Sequence, residues 1–160
     1  MKQVIVADAG PPIALAKIKQ LPLLSALFDE IHIPSHVLRE ATDNIALAGA
    51  PAVRDFAAAH AHVHEDRDDN FVQRVRIEID EGEAQAVALA QTLGCGVLMD
   101  DLLGRAVAKR MGVHAIGVAG VLLPAKRERL IDRVKPCVTA LTAVNYHLSQ
   151  TLIAEILRSR

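Results

Sequence analysis

The amino-acid sequence predicts a single α/β domain over residues 1–160: a three-layer α/β/α sandwich with a short parallel sheet of four to five strands. Short aliphatic runs alternate with helical patterns along the whole chain, and strands that alternate with helices pair in parallel. The composition is 51% hydrophobic but only 2% aromatic. A core built from Ala, Val, Leu and Ile is typical of strands that are buried on both faces between helices.

Strands are predicted where a short aliphatic run ends at a proline, a glycine or an acid. Such runs cover residues 4–6, 30–33, 96–99 and 113–116. From His60 to His64 every second residue is a histidine, and this period of two indicates a fifth short strand or an extended edge.

Helices are predicted where apolar residues recur at helical spacing behind a start signal. Pro11 and Pro51 each open a helix, because a proline in the first turn costs no hydrogen bond. Ser35 is the expected N-cap of another helix, and Asp80 and Glu83 have the spacing of a capping box. The predicted helices cover residues 11–20, 21–28, 35–41, 51–60, 71–79, 80–94, 102–112, 121–125, 132–144 and 149–158.

Charge and cysteine usage narrow the class of protein. The net charge of -1 gives no overall basic field, so any nucleic-acid binding has to come from a local patch. Cys95 and Cys137 lack the paired spacing of a metal site, and we expect reduced thiols. The first apolar residues are too few for a signal peptide, and the longest apolar stretch, 115–125, is shorter than the roughly 20 residues of a spanning helix. We therefore expect a soluble, cytoplasmic protein with no membrane partner.

Several acids are predicted to meet at one edge of the sheet. Asp8 and Asp100 each end an aliphatic strand that a helix follows, and Glu83 opens the helix that leads into the second of these strands. Each acid alone is explained as a helix cap, and Glu40 as part of a solvated helix face. Together, converging carboxylates repel each other unless a cation lies between them. Oxygen ligands suit Mg²⁺ or Mn²⁺, which activate water and stabilise the oxygens of a phosphodiester displacement.

Basic residues and histidines offer further candidates. Arg105 and Lys109 follow the acids and either hold a phosphate backbone as substrate-binding residues or form a solvated face at a helix C-terminus. His60, His62 and His64 are expected to share one strand face, which either binds zinc or nickel adventitiously or is an exposed edge without function.

Five strings of the sequence carry a resemblance to a known family. They are residues 8–16, 33–40, 80–86, 98–101 with Arg105, and 117–123. In this order and spacing they resemble the PIN domain superfamily, most closely the short prokaryotic PIN-like branch that is catalogued as a domain of unknown function. The resemblance covers nearly the whole chain.

The resemblance implies a PIN-like fold whose acidic pocket binds Mg²⁺ or Mn²⁺ and cleaves RNA, single-stranded by expectation, often as the toxin partner of an antitoxin protein. It assigns the catalytic carboxylates to Asp8, Glu40, Glu83 and Asp100. It assigns the metal ligands to Asp8, Glu83 and Asp100, with Asp101 as the alternative at the last position.

The sequence departs from the family pattern at two places. The family usually has Ser or Thr directly after the first aspartate, whereas Ala9 and Gly10 carry no hydroxyl. Glu83 stands where many members have aspartate. A hydroxyl in that turn would orient a ligand or a metal-bound water, and losing such a partner typically costs about 10- to 100-fold in affinity or activity.

Two other functions stay open from the residues alone. A catalytically weak PIN-like module that binds nucleic acid or protein is the main alternative, and a nucleotide-binding or phosphatase domain is a third reading. A homodimer is also expected, because the aliphatic helices at 21–28 and 149–157 offer apolar faces.

Overall fold

The computed structural model describes residues 2–159, in which five strands form one parallel sheet. The order across the sheet is β3-β2-β1-β4-β5, and every pairing is parallel. The predicted α/β class and the count of four to five strands are thereby confirmed. The strands are β1 Val4–Ala7, β2 Glu30–Pro34, β3 Ala61–His64, β4 Gly96–Leu98 and β5 Ala115–Ile116.

The strand order reverses direction at β1, since the chain first builds outward to β2 and β3 and then returns to place β4 on the other side of β1. Ile5 is accordingly paired with Ile31 on one side and with Gly96 on the other. In open parallel sheets, the crevice beyond the carboxyl ends of the strands at such a switch point is where ligands bind.

Helices connect the strands and complete the three-layer sandwich. In the described part of the chain they are α1 Gly10–Lys17, α2 Pro22–Leu27, α3 Ser35–Thr42, α4 Ala50–His60, α5 Asn70–Val75, α6 Glu81–Leu93, α7 Leu102–Arg110, α8 Ala119–Arg127, α9 Lys135–Ala143 and α10 Gln150–Ser159.

Helix α6 is the central helix of the core. Every residue from Gly82 to Ala90 is buried, and the helix packs against β1, β2 and β4. Its alanines let it approach the sheet closely, which explains how a core with so few aromatic side chains fills its volume. Because α6 is buried on all sides, Glu83 in its first turn is buried as well.

The residues predicted to start the helices do so in most cases, and the N-cap prediction for Ser35 is wrong. Ser35 is the first residue of α3 and not its N-cap, because the extended Pro34 precedes the helix and the Ser35 hydroxyl accepts a hydrogen bond from Arg39. The predicted helix at 71–79 ends at Val75, and the one at 132–144 begins at Lys135, where Pro136 falls in the first turn.

No helix among residues 2–159 is long and apolar enough to cross a membrane.

The pairing of β4 with β5 is tested by Gly96→Ala. A Cβ at this position would lie 2.9 Å from the carbonyl oxygen of His114, so the backbone of β5 has to shift. We expect the free energy of unfolding to fall by about 1–3 kcal/mol, as overpacking does. Urea titration followed by circular dichroism measures it, and an unchanged midpoint would show that the two strands do not pack this tightly.

Candidate active site

Asp8 lies at the switch point of the sheet, directly after β1. Its backbone N–H donates to the Leu98 carbonyl at 3.0 Å, which extends the pairing of β1 with β4 by one residue. The side chain is buried, with 8% of its surface exposed. The pKa of Asp8 is raised to about 7, mainly by burial and also by the nearby charges of Glu40, Asp80 and Asp101, while a hydrogen bond from the Ala9 backbone lowers it.

Glu83 is held beside Asp80 by the predicted capping box at the start of α6. Its Oε1 accepts the Asp80 backbone N–H at 3.2 Å, and Asp80 Oδ1 accepts the Glu83 backbone N–H at 2.9 Å. The pKa of Glu83 is raised to about 8, mainly by burial and also by a hydrogen bond with the Asp101 carboxyl and by the charge of Asp80. Because Asp80 is charged, it repels the Glu83 carboxylate that it caps with, whereas an uncharged Ser or Asn at the N-cap would not.

Asp101 lies at the start of α7, next to Glu83. It caps that helix, with its Oδ2 accepting the Gly104 backbone N–H at 2.8 Å. A Cβ at Gly104 would lie only 2.8 Å from Glu83 Oε2, so the glycine is what allows the two helix starts to come this close. Of the two adjacent aspartates that follow β4, Asp101 is therefore the one that caps α7.

Asp100 points to a different set of partners from Asp101. Its Oδ2 accepts the Val118 backbone N–H at 3.0 Å and the hydroxyl of Tyr146. Burial holds the pKa of Tyr146 above its usual range, and the charges of Asp100 and Asp8 add to the effect. Tyr146 thus lies between the two aspartates that end β1 and β4, and sequence reasoning missed it. The one available signal was that it is the single tyrosine of the chain.

Glu40 lies on the rim of the site, on the exposed face of α3. Partial burial raises its pKa first, and the charge of Asp80 raises it further. A Cβ at Gly82 would clash with the Glu40 carboxylate, so α3 and α6 cross where α6 has no side chain. Glu40 and Asp80 both act on Asp8, which brings Asp80 into the site although the sequence marked it only as a cap.

The four predicted catalytic acids thus divide into two parts. Asp8, Glu40 and Glu83 share a group with Asp80 and Asp101, and the charge of Asp80 raises the pKa of each of the first three. Asp100 is turned toward Val118 and Tyr146. Across residues 2–159, no three His, Cys, Asp or Glu side chains are close enough to hold a metal ion together.

The two predicted substrate-binding residues differ in their surroundings. Arg105 is half-buried and its Nη1 donates to the Met99 carbonyl at 3.0 Å, so it supports the end of β4. Lys109 lies one turn further along α7 and is exposed. Beside Asp100 and Arg105 a groove of about 500 Å³ opens, with His114, His147 and Leu148 among its lining residues.

The histidines of β3 make contacts within the sheet. His62 stacks on His32 of β2 with 4.9 Å between ring centroids, and His64 Nε2 lies 2.8 Å from His32 Nδ1. His32 Nε2 in turn lies 3.1 Å from Glu30. His60 is the last residue of α4 and does not share this face, and sequence reasoning missed the part that His32 plays.

Asp8→Asn is expected to stabilise the metal-free protein at pH 8. The folded-state pKa of Asp8, about 7, lies above that of the unfolded chain. Stability that depends on this group therefore falls as pH rises from about 4 through about 7. Asparagine carries no charge, so we expect a gain of about 1–3 kcal/mol at pH 8, given that one pKa unit corresponds to about 1.4 kcal/mol.

Thermal denaturation at pH 4 and pH 8 measures this effect, with the exposed Asp132→Asn as the matched control. The gain should be present at pH 8 and nearly absent at pH 4. A variant that is less stable than the wild type at pH 8 would contradict the burial cost assigned to Asp8.

Comparisons with known proteins agree with this architecture. A sequence profile described as a PIN domain matches residues 4–160. The fold is similar to that of PAE2754 from Pyrobaculum aerophilum, with 21% identity and a TM-score of 0.56 over 74% of this chain and 91% of that one. It is also similar to a PilT N-terminus domain protein, SSO1118, from Sulfolobus solfataricus, with 15% identity and a TM-score of 0.52 over 77% and 93% of the two chains.

Among curated proteins, none matches the chain significantly. At 21% and 15% identity, the two solved structures support the fold alone. PIN domains are generally nucleases and usually use divalent metal ions. The resemblance predicted from the sequence is confirmed by the profile match: the chain belongs to the PIN domain family.

Proposed function

We propose that this protein is a metal-dependent endoribonuclease of PIN type that hydrolyses phosphodiester bonds in single-stranded RNA. The observation that carries the proposal is the buried Asp8 carboxylate at the switch point, with its pKa raised to about 7 by burial and by neighbouring acids. Strongly perturbed acids in a crevice are candidates for chemistry, because a structural cap needs only one polar oxygen.

The donor set fits Mg²⁺ or Mn²⁺ in its chemistry. The side chains that would hold the ion are Asp8 and Glu83, with Asp100 or Asp101 as the third ligand, and all offer hard carboxylate oxygens. Glu83 and Asp101 already lie within hydrogen-bond reach of one another. Since no three of these groups converge within residues 2–159, binding requires Asp8, Glu83 or Asp101 to turn toward the ion, and a divalent charge would offset the repulsion between the acids.

The bound ion would supply charge for the phosphate oxygens and lower the pKa of a water nucleophile. The protein's side chains would bind the RNA backbone and accept a proton from the attacking water. Lys109 and the remaining N–H groups of Arg105 are suited to phosphate, which they would bind without reading sequence. Glu40, on the rim, is available to accept a proton from an approaching water.

The partner predictions belong to the same proposal. An antitoxin partner rests on the family resemblance, and a cytoplasmic location rests on the cysteine usage and the apolar pattern of the sequence. A homodimer through α2 and α10 has less free apolar surface than the sequence suggests, because Leu23, Leu24 and Ile156 are buried within the chain.

A catalytically weak PIN-like module that binds nucleic acid or protein is the second candidate. Two observations favour it: the turn after Asp8 carries no hydroxyl of its own, and no three carboxylates converge in the described part of the chain. This candidate differs from the first in turnover and not in fold.

Mn²⁺ titration by calorimetry tests the metal site. We expect saturable binding by the wild type and its loss in the double variant Asp8→Asn, Asp100→Asn. Affinity should rise between pH 6 and pH 8, because carboxyls with a pKa of about 7 and about 8 have to lose protons to bind. Asp132→Asn, far from this group in sequence and exposed, should bind as the wild type does. Retained binding in the double variant would mean that the ion is held elsewhere.

Cleavage of a labelled single-stranded RNA tests the activity. With Mn²⁺ present we expect endonucleolytic products, and Asp8→Asn should lower the rate by about 100-fold or more, since even a partner of a metal ligand is worth about 10- to 100-fold. A chelator should abolish cleavage, and Asp132→Asn should leave it intact. Saturable Mn²⁺ binding without turnover on RNAs of varied sequence would favour the second candidate.

A further inference from the structure

We propose that Tyr146 is a positioning residue of the acid site, whose hydroxyl holds the carboxylate of Asp100 in place for its role there. The inference rests on the proposed function, because it concerns the same acids. It adds the segment after α9 to a site that the sequence assigned to the strands and to helices α1, α3, α6 and α7.

Two donors fix one oxygen of Asp100. The Tyr146 hydroxyl and the Val118 backbone N–H both donate to Oδ2, the latter at 3.0 Å. A side chain at Gly117 would clash with the other oxygen, Oδ1, so that oxygen lies against the bare backbone before α8. Charge-assisted hydrogen bonds of this kind are short and strong, and two on one atom leave the carboxylate little freedom to rotate.

The backbone turn that follows α9 sets the direction of the Tyr146 ring. Helix α9 ends at Ala143, and Asn145, two residues later, has a left-handed φ of 61°, a conformation that asparagine tolerates better than most residues. The Tyr146 backbone N–H then donates back to the Leu141 carbonyl at 2.9 Å, closing the helix end. The ring is half-buried and packs against the core, so its direction is set before the hydroxyl meets Asp100.

Tyr146 also reaches the other side of the site. A Cβ at Gly10, the first residue of α1, would lie 3.9 Å from the Tyr146 hydroxyl oxygen. The hydroxyl therefore stands between the turn that follows Asp8 and the carboxylate that follows β4. Among residues 2–159, Tyr146 provides the one side-chain hydrogen bond to Asp100, and removing its hydroxyl takes that bond away.

Tyr146→Phe tests the role because it keeps the ring and removes only the hydroxyl. We expect Mn²⁺ affinity in calorimetry to fall by about tenfold, the lower end of what the partner of a metal ligand is worth. Thr142→Val is the matched control, since it removes a hydroxyl from α9 that bonds only the Val138 carbonyl. It should bind Mn²⁺ as the wild type does. Wild-type affinity in Tyr146→Phe would overturn the proposal.

Amide hydrogen exchange at Val118 separates this inference from the proposed function. Val118 N–H shares Oδ2 with Tyr146, so loosening Asp100 should speed its exchange by about tenfold in Tyr146→Phe. The Met99 N–H, which bonds the Ile116 carbonyl at 2.8 Å, should exchange as in the wild type. A wild type that binds no Mn²⁺ would overturn the proposed function, and unchanged Val118 exchange would overturn the positioning of Asp100 whether or not metal binds.

Discussion

The free-energy cost of keeping carboxylates together where β1 and β4 end is the constraint on which the site depends. The position of Asp8 is fixed, because its backbone N–H continues the pairing of β1 with β4. The position of Glu83 is fixed as well, because its side chain completes the capping box of α6. Both side chains are buried, and both have a pKa near or above neutral for that reason. The fold thus holds two acids in a place where water alone does not stabilise their charges.

Glycines create the space in which the acids crowd. Gly82 lies against the Glu40 carboxylate, Gly104 against Glu83 and Gly117 against Asp100, and a Cβ at any of the three would come within 2.8 Å or less of a carboxylate oxygen. Two helices and one loop therefore approach the acids with bare backbone. A protein that used its acids only as caps would gain nothing from such close approaches, since a cap is satisfied by one backbone N–H of its own helix.

Signals that depend on neighbours in the chain were readable from the sequence, and contacts between distant residues were not. The strand followed by an acid and a helix at Asp8, and the capping box at Asp80, are local patterns and hold in the structure. The N-cap prediction for Ser35 was wrong because the preceding Pro34 takes that position. Tyr146 reaches Asp100 across 46 residues, and His32 meets His64 across 32, so neither contact leaves a local pattern to recognise.

The turn after Asp8 shows how this limit affects the choice between the two candidate functions. From the sequence, Ala9 and Gly10 leave the turn without a hydroxyl. In the fold, the Tyr146 hydroxyl lies 3.9 Å from where a Cβ of Gly10 would be, so the far end of the chain supplies a hydroxyl at that place. The weak-module candidate then depends on the spread of the carboxylates alone. The acids that do lie together raise each other's pKa, and a divalent cation bound among them would offset that repulsion.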